Sequence, residues 1–283
     1  MILVTGSAGK TGRAVIQALA KCGDPVRALV HRADQVASIE ALGVDDAIVG
    51  DLLDQSVMER AVRGVRAIYH IAPNVSPDEL PIGRNVIAAA QSADVERFVF
   101  HSVLHPQIEA MPHHWQKMRV EELLFESDLP FTILQPTAYM QNVLAYWNQI
   151  IENGRYSIPY LQETRLSLVD LEDVAQAAAI VLTEPGHIGA TIELVGTAAM
   201  SQVAIASMLA DQLGRPVEAE VIPLEAWERV ARSSGLGDYQ VLTLMKMFCY
   251  YESYGFTGNT NALSCLLGRQ PTSFAEFIKR IKK

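Results

Sequence analysis

The chain has 283 residues, of which 49% are hydrophobic and 19% are charged, and this balance excludes a disordered or fibrous protein. Lys and Arg together number 23 against 32 for Asp and Glu, which gives a formal net charge of −9. Because an acidic chain without a basic run is a poor nucleic-acid binder, we predict no direct contact with nucleic acid.

The start of the chain and its cysteines both bear on the cellular compartment. The chain begins directly with a predicted strand at Met1–Thr5, without a basic segment or a cleavage site before it. The longest apolar stretch, Val174 to Leu182, is too short to span a bilayer. Three cysteines without disulfide or metal-binding spacing are typical of a reducing compartment. We therefore predict a cytoplasmic protein with no membrane contact.

Short apolar runs alternate with amphipathic runs in the first half of the chain. The predicted strands are Met1–Thr5, Val26–Val30, Asp46–Val49, Ala67–Ile71, Arg97–Ser102 and Phe131–Gln135. The predicted helices between them are Thr11–Lys21, Ala33–Leu42, Ser56–Val62, Asp78–Ala93 and His113–Ser127. This alternation predicts an α/β fold with a Rossmann-type, doubly wound parallel sheet whose strands are buried on both faces.

The rhythm changes after about residue 136. The predicted strands there are Ser157–Pro159, Arg165–Val169, Thr191–Val195 and Val217–Ile222. The predicted helices are Glu172–Leu182 and Gln202–Leu213, followed by a mainly helical C-terminal part. We predict an NAD(P)-binding core at residues 1–136, to which later elements return. Residues 137–283 are predicted to form a smaller, mixed and mainly helical substrate-binding lobe.

A glycine-rich loop joins the first predicted strand to the first predicted helix. Its predicted cofactor-binding residues are Gly6, Ser7, Gly9, Lys10, Thr11 and Gly12. In such a loop the first glycine permits a tight turn, the second lets a pyrophosphate approach the backbone, and the third lets helix and strand pack closely. The N-terminus of the helix supplies free N–H groups to the phosphates. The alternative is a glycine-rich turn that serves packing alone.

The spacing of these glycines resembles the short-chain dehydrogenase/reductase superfamily in its atypical branch. The end of the second strand distinguishes NAD from NADP, and Arg32 stands there with no carboxylate before Asp34. Since an arginine fork suits a 2′-phosphate, we predict NADP(H). A solvated arginine at a helix start is the alternative. The resemblance further places Asp51 and Leu52 at the adenine and Ile71, Ala72 and Pro73 beside the nicotinamide ribose.

This resemblance implies a serine and a Tyr-x-x-x-Lys motif, but none of the nine tyrosines has a lysine four residues later. Ser102 and Lys117 stand where the serine and lysine are expected, and His113 stands at the tyrosine position. We predict that Lys117 anchors the nicotinamide ribose or acts as an electrostatic group. His113 is a candidate proton relay. The alternatives are a solvated lysine and a half-exposed histidine at a helix start.

Several segments together resemble the NmrA-like family over nearly the whole chain. They are Lys117 with Glu121–Leu124, Ser127–Pro136, Tyr139–Asn142, Ser167–Val174, Gly255–Asn259 and Leu266–Pro271. The family includes NADPH-dependent quinone and triphenylmethane-dye reductases, isoflavone-reductase-like enzymes and NADP-sensing regulators. The resemblance therefore implies the fold and the cofactor, and it leaves catalysis open.

The leading hypothesis is an NADPH-dependent reductase that transfers hydride to a small electron-poor acceptor such as a quinone. Candidate substrate-binding residues follow the sixth strand, namely Gln135, Thr137, Tyr139 and Asn142, and Met245–Tyr254 is a candidate lid. An NADP(H)-sensing regulator that acts through a protein partner, with little or no turnover, is the alternative. The missing tyrosine counts against a sugar-nucleotide epimerase.

Four histidines, at positions 101, 105, 113 and 114, are close together in the chain, but no pair combines i, i+4 spacing with a supporting carboxylate ligand, so we predict no metal. The sequence leaves open the substrate, a protein partner and a homo-oligomeric state.

Overall fold

The structure is a computed structural model that describes residues 1–282. The strands are β1 (Ile2–Val4), β2 (Val26–Val30), β3 (Asp46–Val49), β4 (Ala67–His70), β5 (Arg97–His101), β6 (Phe131–Pro136), β7 (Ala138–Tyr139), β8 (Arg155–Ile158), β9 (Arg165–Leu166), β10 (Leu168–Val169), β11 (Thr191–Leu194), β12 (Met200–Ser201) and β13 (Glu218–Val221). The helices are α1 (Lys10–Cys22), α2 (Val36–Glu40), α3 (Gln55–Ala61), α4 (Glu79–Ser92), α5 (Pro112–Phe125), α6 (Trp147–Asn153), α7 (Leu171–Thr183), α8 (Gln202–Leu213), α9 (Leu224–Ser233), α10 (Asp238–Tyr254), α11 (Asn261–Leu267) and α12 (Phe274–Ile281). Two 3₁₀ segments cover Ala33–Gln35 and Met140–Tyr146.

The central sheet has the strand order β11-β6-β5-β4-β1-β2-β3. The pairs among β1 to β6 are parallel, and each of these six strands agrees with its predicted bounds to within one residue at either end. The order reverses between β1 and β4, which is the switch point where open α/β sheets bind ligands. The predicted Rossmann-type α/β fold is confirmed.

Burial explains why the apolar runs become strands. The side chains of Ile2, Leu3 and Ile68 are fully buried, as expected for strands with helices on both faces. Strand β3 departs from this prediction because it is the sheet edge and its residues are half-buried or exposed. Helix α1 buries its apolar stripe and ends at Gly23, whose φ of 77° lies in the left-handed region.

The chain divides into two compact units. The first comprises Met1–Gln107, His113–Gln135 and Val174–Ile192, and it contains the sheet strands β1 to β5. The second comprises Ile108–Pro112, Pro136–Asp173 and the residues from Glu193 onward, and in it short strand pairs such as β8–β13 accompany the helices α8 to α12. Among the described residues, no helix combines the length and apolar character needed to cross a membrane.

Two predicted elements differ from the structure. The predicted helix Ala33–Leu42 is a 3₁₀ turn followed by the short α2, because the Gln35 side chain accepts from the Arg32 N–H and caps the turn. The predicted strand Arg165–Val169 is split into two short strands. Leu166 pairs with Met200 of β12, whereas Leu168 and Val169 pair with β7.

Two buried carboxylates fasten the C-terminal segment within the second unit. Asp173 is fully buried and accepts from the side chain of Arg269 at 2.7 Å and from the N–H of Thr272 at 2.6 Å. Asp170 is also fully buried and pairs with Arg280 at 2.7 Å. Since a buried carboxylate is costly unless it is paired and hydrogen-bonded, these contacts give the family-like segments around both residues a structural role.

Candidate functional site

The glycine-rich loop follows β1 and leads into α1. Gly6 has a φ of +59°, and a Cβ there would lie 2.7 Å from the Ile71 side chain. A Cβ on Gly12 would overlap the Gly6 carbonyl oxygen and lie 2.8 Å from the Cα of Ser7. The first and third glycines are therefore needed for the loop to close against α1 and the end of β4.

Helix α1 begins at this loop with an open N-terminus. Gly9 is the N-cap residue, no described side chain caps it, and the first turn contains no acidic residue. The N–H groups and the positive end of the helix dipole are thus available to a phosphate. The bare Gly9 backbone leaves room for its approach. The loop fits the pyrophosphate of a dinucleotide.

The predicted phosphate-binding side chains of the loop differ in their surroundings. Ser7 is fully buried, and its hydroxyl donates to the Val4 carbonyl oxygen at 2.6 Å, so it can offer a ligand only its backbone. Thr11 is buried at the start of α1, whereas Lys10 is exposed. Lys10 is therefore better placed than Ser7 or Thr11 to give a side-chain contact to a phosphate.

The residues after β2 form an exposed ion pair. The Arg32 guanidinium donates to both carboxylate oxygens of Asp34, at 2.9 Å and 3.2 Å, and 62% of the Arg32 side chain is exposed. The bond from Arg32 lowers the pKa of Asp34. A ligand phosphate at Arg32 therefore competes with Asp34, a partner that the sequence analysis did not include.

The residues after β3 present the exposed carboxylate of Asp51. Asp51 is exposed, and its Oδ1 accepts from the N–H of Leu53 at 2.9 Å. Leu52 is buried, and its carbonyl oxygen accepts from the Asn85 side chain at 2.6 Å. Asp51 is thus oriented by its own turn, which is compatible with the adenine contact predicted for it.

The loop after β4 is tied to the end of β1. The Thr5 hydroxyl accepts from the N–H of Ile71 at 2.9 Å and lies 2.9 Å from Nδ1 of His70. Ala72 is buried, and Pro73 is exposed. These bonds hold the predicted nicotinamide-ribose segment beside the glycine-rich loop, at the switch point of the sheet.

Lys117, on α5, lies in a largely buried ionic contact. Its Nζ donates to Glu79 Oε1 at 2.8 Å and to the His101 carbonyl oxygen at 3.2 Å, and it lies 5.4 Å from the centre of the Phe100 ring. The Lys117 and Glu79 side chains are only 15% and 4% exposed. Lys117 is therefore not the solvated lysine of the alternative interpretation. Glu79 could not be selected from the sequence, because a glutamate in the first turn of a helix is equally typical of an exposed residue.

Ser102 and Gln135 share one carboxylate. The Ser102 hydroxyl donates to Glu121 Oε1, and the Gln135 amide donates to both oxygens of Glu121 at 2.9 Å and 3.1 Å. All three side chains are buried, and burial raises the pKa of Glu121. Ser102 and Gln135 were predicted for different roles, catalysis and substrate binding, but the structure joins them in one hydrogen-bonded cluster. The sequence marks Glu121 only as part of a segment that resembles the NmrA-like family.

Three buried histidines, at positions 70, 101 and 114, and the half-buried His113 are all influenced by the charge of the Lys117 ammonium group. Burial, and secondarily the Lys117 charge, lowers the pKa of His70 and His101 to about 3 and that of His113 to about 4. Burial and the neighbouring His113 lower the pKa of His114 to about 3. The His113 and His114 rings meet edge to face at 4.5 Å, and Nδ1 of His113 is buried without a hydrogen-bond partner in the described part of the chain. His113 is thus a neutral imidazole at neutral pH.

Because these histidines are neutral in the folded protein, we expect the free energy of unfolding to fall in acid. Their folded pKa values lie below the unfolded value of about 6.5, so the unfolded chain binds more protons between about pH 6.5 and pH 4. Stability is fully present above about pH 6.5 and falls with pH below it, by about 1.4 kcal/mol per pH unit for each histidine. Phe at position 70 can stack on Phe100 as His70 does. We therefore expect His70→Phe to reduce the slope of stability against pH by the contribution of one histidine, about 1.4 kcal/mol per pH unit.

Urea unfolding at several pH values between about pH 5 and pH 7 measures this slope. His31 is exposed, so His31→Asn is the matched control for the loss of an imidazole outside the core. Equal slopes for His70→Phe and the unmutated protein would contradict the assignment of His70 as a buried neutral group.

The remaining predicted substrate residues lie in the second unit. The Thr137 hydroxyl donates to the Ser167 carbonyl oxygen at 3.0 Å and is occupied in holding that segment. Tyr139 is half-buried in β7, opposite Val169. Asn142 is exposed in the 3₁₀ segment and is free of any such structural bond to the described residues. The predicted lid, Met245–Tyr254, is the C-terminal part of α10.

The histidines do not assemble into a metal site. Within residues 1–282, no group of three or more His, Cys, Asp or Glu side chains is arranged to hold a metal ion. The carboxyl edge of the sheet therefore offers three kinds of chemical group. They are the backbone N–H groups at the start of α1, which can bind a phosphate, the lysine paired with Glu79, and neutral imidazoles.

The NmrA-like family model matches residues 1–278. The chain belongs to the NmrA-like family. The family resemblance inferred from the sequence motifs is confirmed, and the match includes the glycine-rich loop as well as Lys117.

Curated relatives cover nearly the same length as this chain. The NAD(P)H azoreductase of Xenophilus azovorans is 30% identical over 281 residues, which are 99% of this chain and 97% of the relative. Quinone oxidoreductase 2 of Escherichia coli is 28% identical over 283 residues, which cover 99% of this chain and 98% of the relative. A crystal structure of an NADPH-dependent quinone oxidoreductase from Escherichia coli, in complex with NADPH, has a TM-score of 0.86 at 26% identity and covers 100% of both chains.

Proposed function

We propose that this NmrA-like protein is an NADPH-dependent reductase that transfers a hydride to a small, electron-poor acceptor such as a quinone. The strongest support is the full-length similarity to a quinone oxidoreductase whose structure contains NADPH, at a TM-score of 0.86. The relative named as an NAD(P)H azoreductase supports the same class of cofactor-dependent reduction. The chain's own glycine-rich loop fits the dinucleotide independently of these relatives.

The first unit contains groups for each part of the proposed cofactor. We assign the pyrophosphate to the open N-terminus of α1, where backbone N–H groups and the helix dipole favour an anion. Arg32 takes the 2′-phosphate once it is released from Asp34, since its planar fork binds phosphate in pairs of bonds. Residues 137–283 are assigned to the acceptor. The proposed reaction draws its electrons from NADPH and requires no metal.

Lys117 and His113 replace the missing Tyr-x-x-x-Lys pair in this proposal. When bound, NADPH supplies the hydride, and a quinone that receives it becomes a hydroquinone after it takes up one proton from solvent. Lys117, held by Glu79, provides a fixed positive charge that favours negative charge on the acceptor oxygen. His113 provides a neutral imidazole that orients a hydrogen bond. Since a quinone is already electrophilic, positioning supplies much of the rate acceleration.

Arg32 is expected to select NADPH over NADH. We expect Arg32→Ala to weaken NADPH binding about ten- to a hundredfold, the effect of one charge-assisted phosphate contact, and to leave NADH binding nearly unchanged. Calorimetric titration of both cofactors measures the difference. Arg155→Ala is the matched control, because Arg155 is equally exposed, at 62%, and also belongs to an exposed ion pair. Equal affinities of the unmutated protein for NADPH and NADH would contradict the NADP assignment.

A panel of quinones, azo dyes, triphenylmethane dyes and aldehydes tests the proposed function. We expect NADPH oxidation with quinones or dyes and little with aldehydes, which need a proton donor more strongly. Tight NADPH binding without oxidation by any acceptor would contradict the reductase proposal and favour a cofactor sensor.

A further inference from the structure

An open apolar groove of about 480 Å³ lies in the second unit. Leu242, Met245, Tyr250 and Tyr254 of α10 line it, together with Lys246. Grooves of this size are typical of small-molecule sites. None of the residues predicted from the sequence for cofactor or substrate binding contributes to its lining, apart from those in the candidate lid.

Helix α10 has two apolar faces. Val241, Phe248 and Tyr251 form the buried one. Leu242, Met245, Tyr250 and Tyr254 form the other, at the helical spacing i, i+3, i+8 and i+12. On this second face, Leu242 is 53% exposed and Tyr254 is 76% exposed. A helix that already has a core face does not need a second apolar face for folding. The exposed apolar surface of this second face is therefore available to bind a ligand.

The shape and charge of the groove define the class of ligand. The Tyr250 and Tyr254 rings lie 4.9 Å apart at an angle of 42° and offer aromatic contacts to a flat ring system. Lys246 is the charged residue of the lining. It is exposed and makes no ion pair with the described residues. An apolar groove with one unpaired ammonium group complements an aromatic ring that carries an anionic substituent.

A second copy of the chain fits this groove less well. In a two-fold symmetric contact centred on the groove, the same surface faces itself, so each Lys246 would meet the partner's copy of the same residue without a counter-ion. A small aromatic anion provides that counter-ion.

We propose that this groove binds the acceptor of the proposed reductase, and that Lys246 selects acceptors with a flat aromatic ring and a sulfonate or carboxylate group. This inference rests on the proposed function. Ala110 also lines the groove and is three residues before His113 in the chain, so the covalent chain limits the distance between their Cα atoms to about 11 Å. The groove residue and the predicted proton relay are thus close along the backbone.

The test compares naphthoquinone sulfonate with unsubstituted naphthoquinone on Lys246→Glu and Lys246→Met. Binding is measured without NADPH by quenching of tryptophan fluorescence, for which Trp227 is a reporter because its ring lies 4.8 Å from that of Phe248 on α10. The KM of each acceptor is measured with NADPH. Lys279→Glu is the matched control, since Lys279 is also exposed, lies on α12 and undergoes the same charge change.

We expect Lys246→Glu to weaken binding of the sulfonate and raise its KM by about tenfold or more, with a smaller effect for Lys246→Met. The unsubstituted quinone should change less than about twofold, and Lys279→Glu should change neither acceptor. Equal effects on both acceptors, no effect on either, or a change in sedimentation that shows a dimer through this face would overturn the proposal.

The two proposals fail in different ways. Sulfonate binding that depends on Lys246, without NADPH oxidation by any acceptor, would support the groove as a site and overturn the reductase function. NADPH oxidation that is indifferent to Lys246 would support the reductase function and overturn the groove assignment.

Discussion

Gly9→Val is expected to abolish binding of both NADPH and NADH while the protein remains folded. The N-cap backbone of Gly9, with φ −73° and ψ 164°, suits any residue, and a Cβ there would lie 3.2 Å from the Gly6 oxygen, a tight but not prohibitive contact. A branched side chain blocks the approach of the pyrophosphate to the N–H groups of α1. Loss of two charge-assisted bonds weakens binding by at least about a hundredfold. Calorimetry with each cofactor measures this loss, and circular dichroism confirms the fold.

Gly237 provides a close control for this substitution. It is the N-cap residue of α10, with φ −74° and ψ 165°, so Gly237→Val makes the same change at the same kind of position outside the loop. It should leave cofactor binding unchanged. Cofactor affinity that survives Gly9→Val would contradict the assignment of the loop to the pyrophosphate.

Lys117→Met is expected to cost both stability and turnover. Removal of the ammonium group leaves the Glu79 carboxylate, which is 4% exposed, without its counter-ion. An uncompensated buried charge destabilises by about 3–5 kcal/mol. Turnover with a quinone should fall by about a hundredfold or more, because the fixed positive charge near the acceptor is lost. His113→Ala should lower turnover less, since a neutral imidazole that orients a bond contributes less than a charge.

The double variant Lys117→Met with Glu79→Gln separates the two effects. It removes the uncompensated charge, so the stability measured by urea unfolding should return to near that of the unmutated protein. Turnover should stay low. Recovery of both stability and turnover would show that Lys117 serves the fold alone.

The fold could be predicted from the sequence because its strongest signals are local. Apolar runs such as Val26–Val30 match their strands, and a glycine-rich loop between a strand and a helix has few other uses. Helix Ala33–Leu42 was predicted as one element because the cap from Gln35 to Arg32 is a side-chain detail that periodicity does not report.

The site was harder to predict because its partners are distant in the chain. Glu79 and Lys117 are 38 residues apart, and Ser102 and Glu121 are 19 residues apart. Sequence spacing selects Lys117 and Ser102 by their resemblance to a motif, but only the packing of α4 and α5 on the sheet reveals their carboxylate partners. The low pKa of His113 follows from burial next to Lys117, which the sequence does not display.

The most direct test of the central claim is a single-turnover experiment, in which the protein saturated with NADPH is mixed with an equimolar quinone under anaerobic conditions. We expect the loss of reduced nicotinamide absorbance and the formation of hydroquinone to proceed at the same rate and in equal amounts. We further expect Lys117→Met to slow both without preventing NADPH binding. Persistence of bound NADPH in the presence of every acceptor that the panel offers would contradict the account.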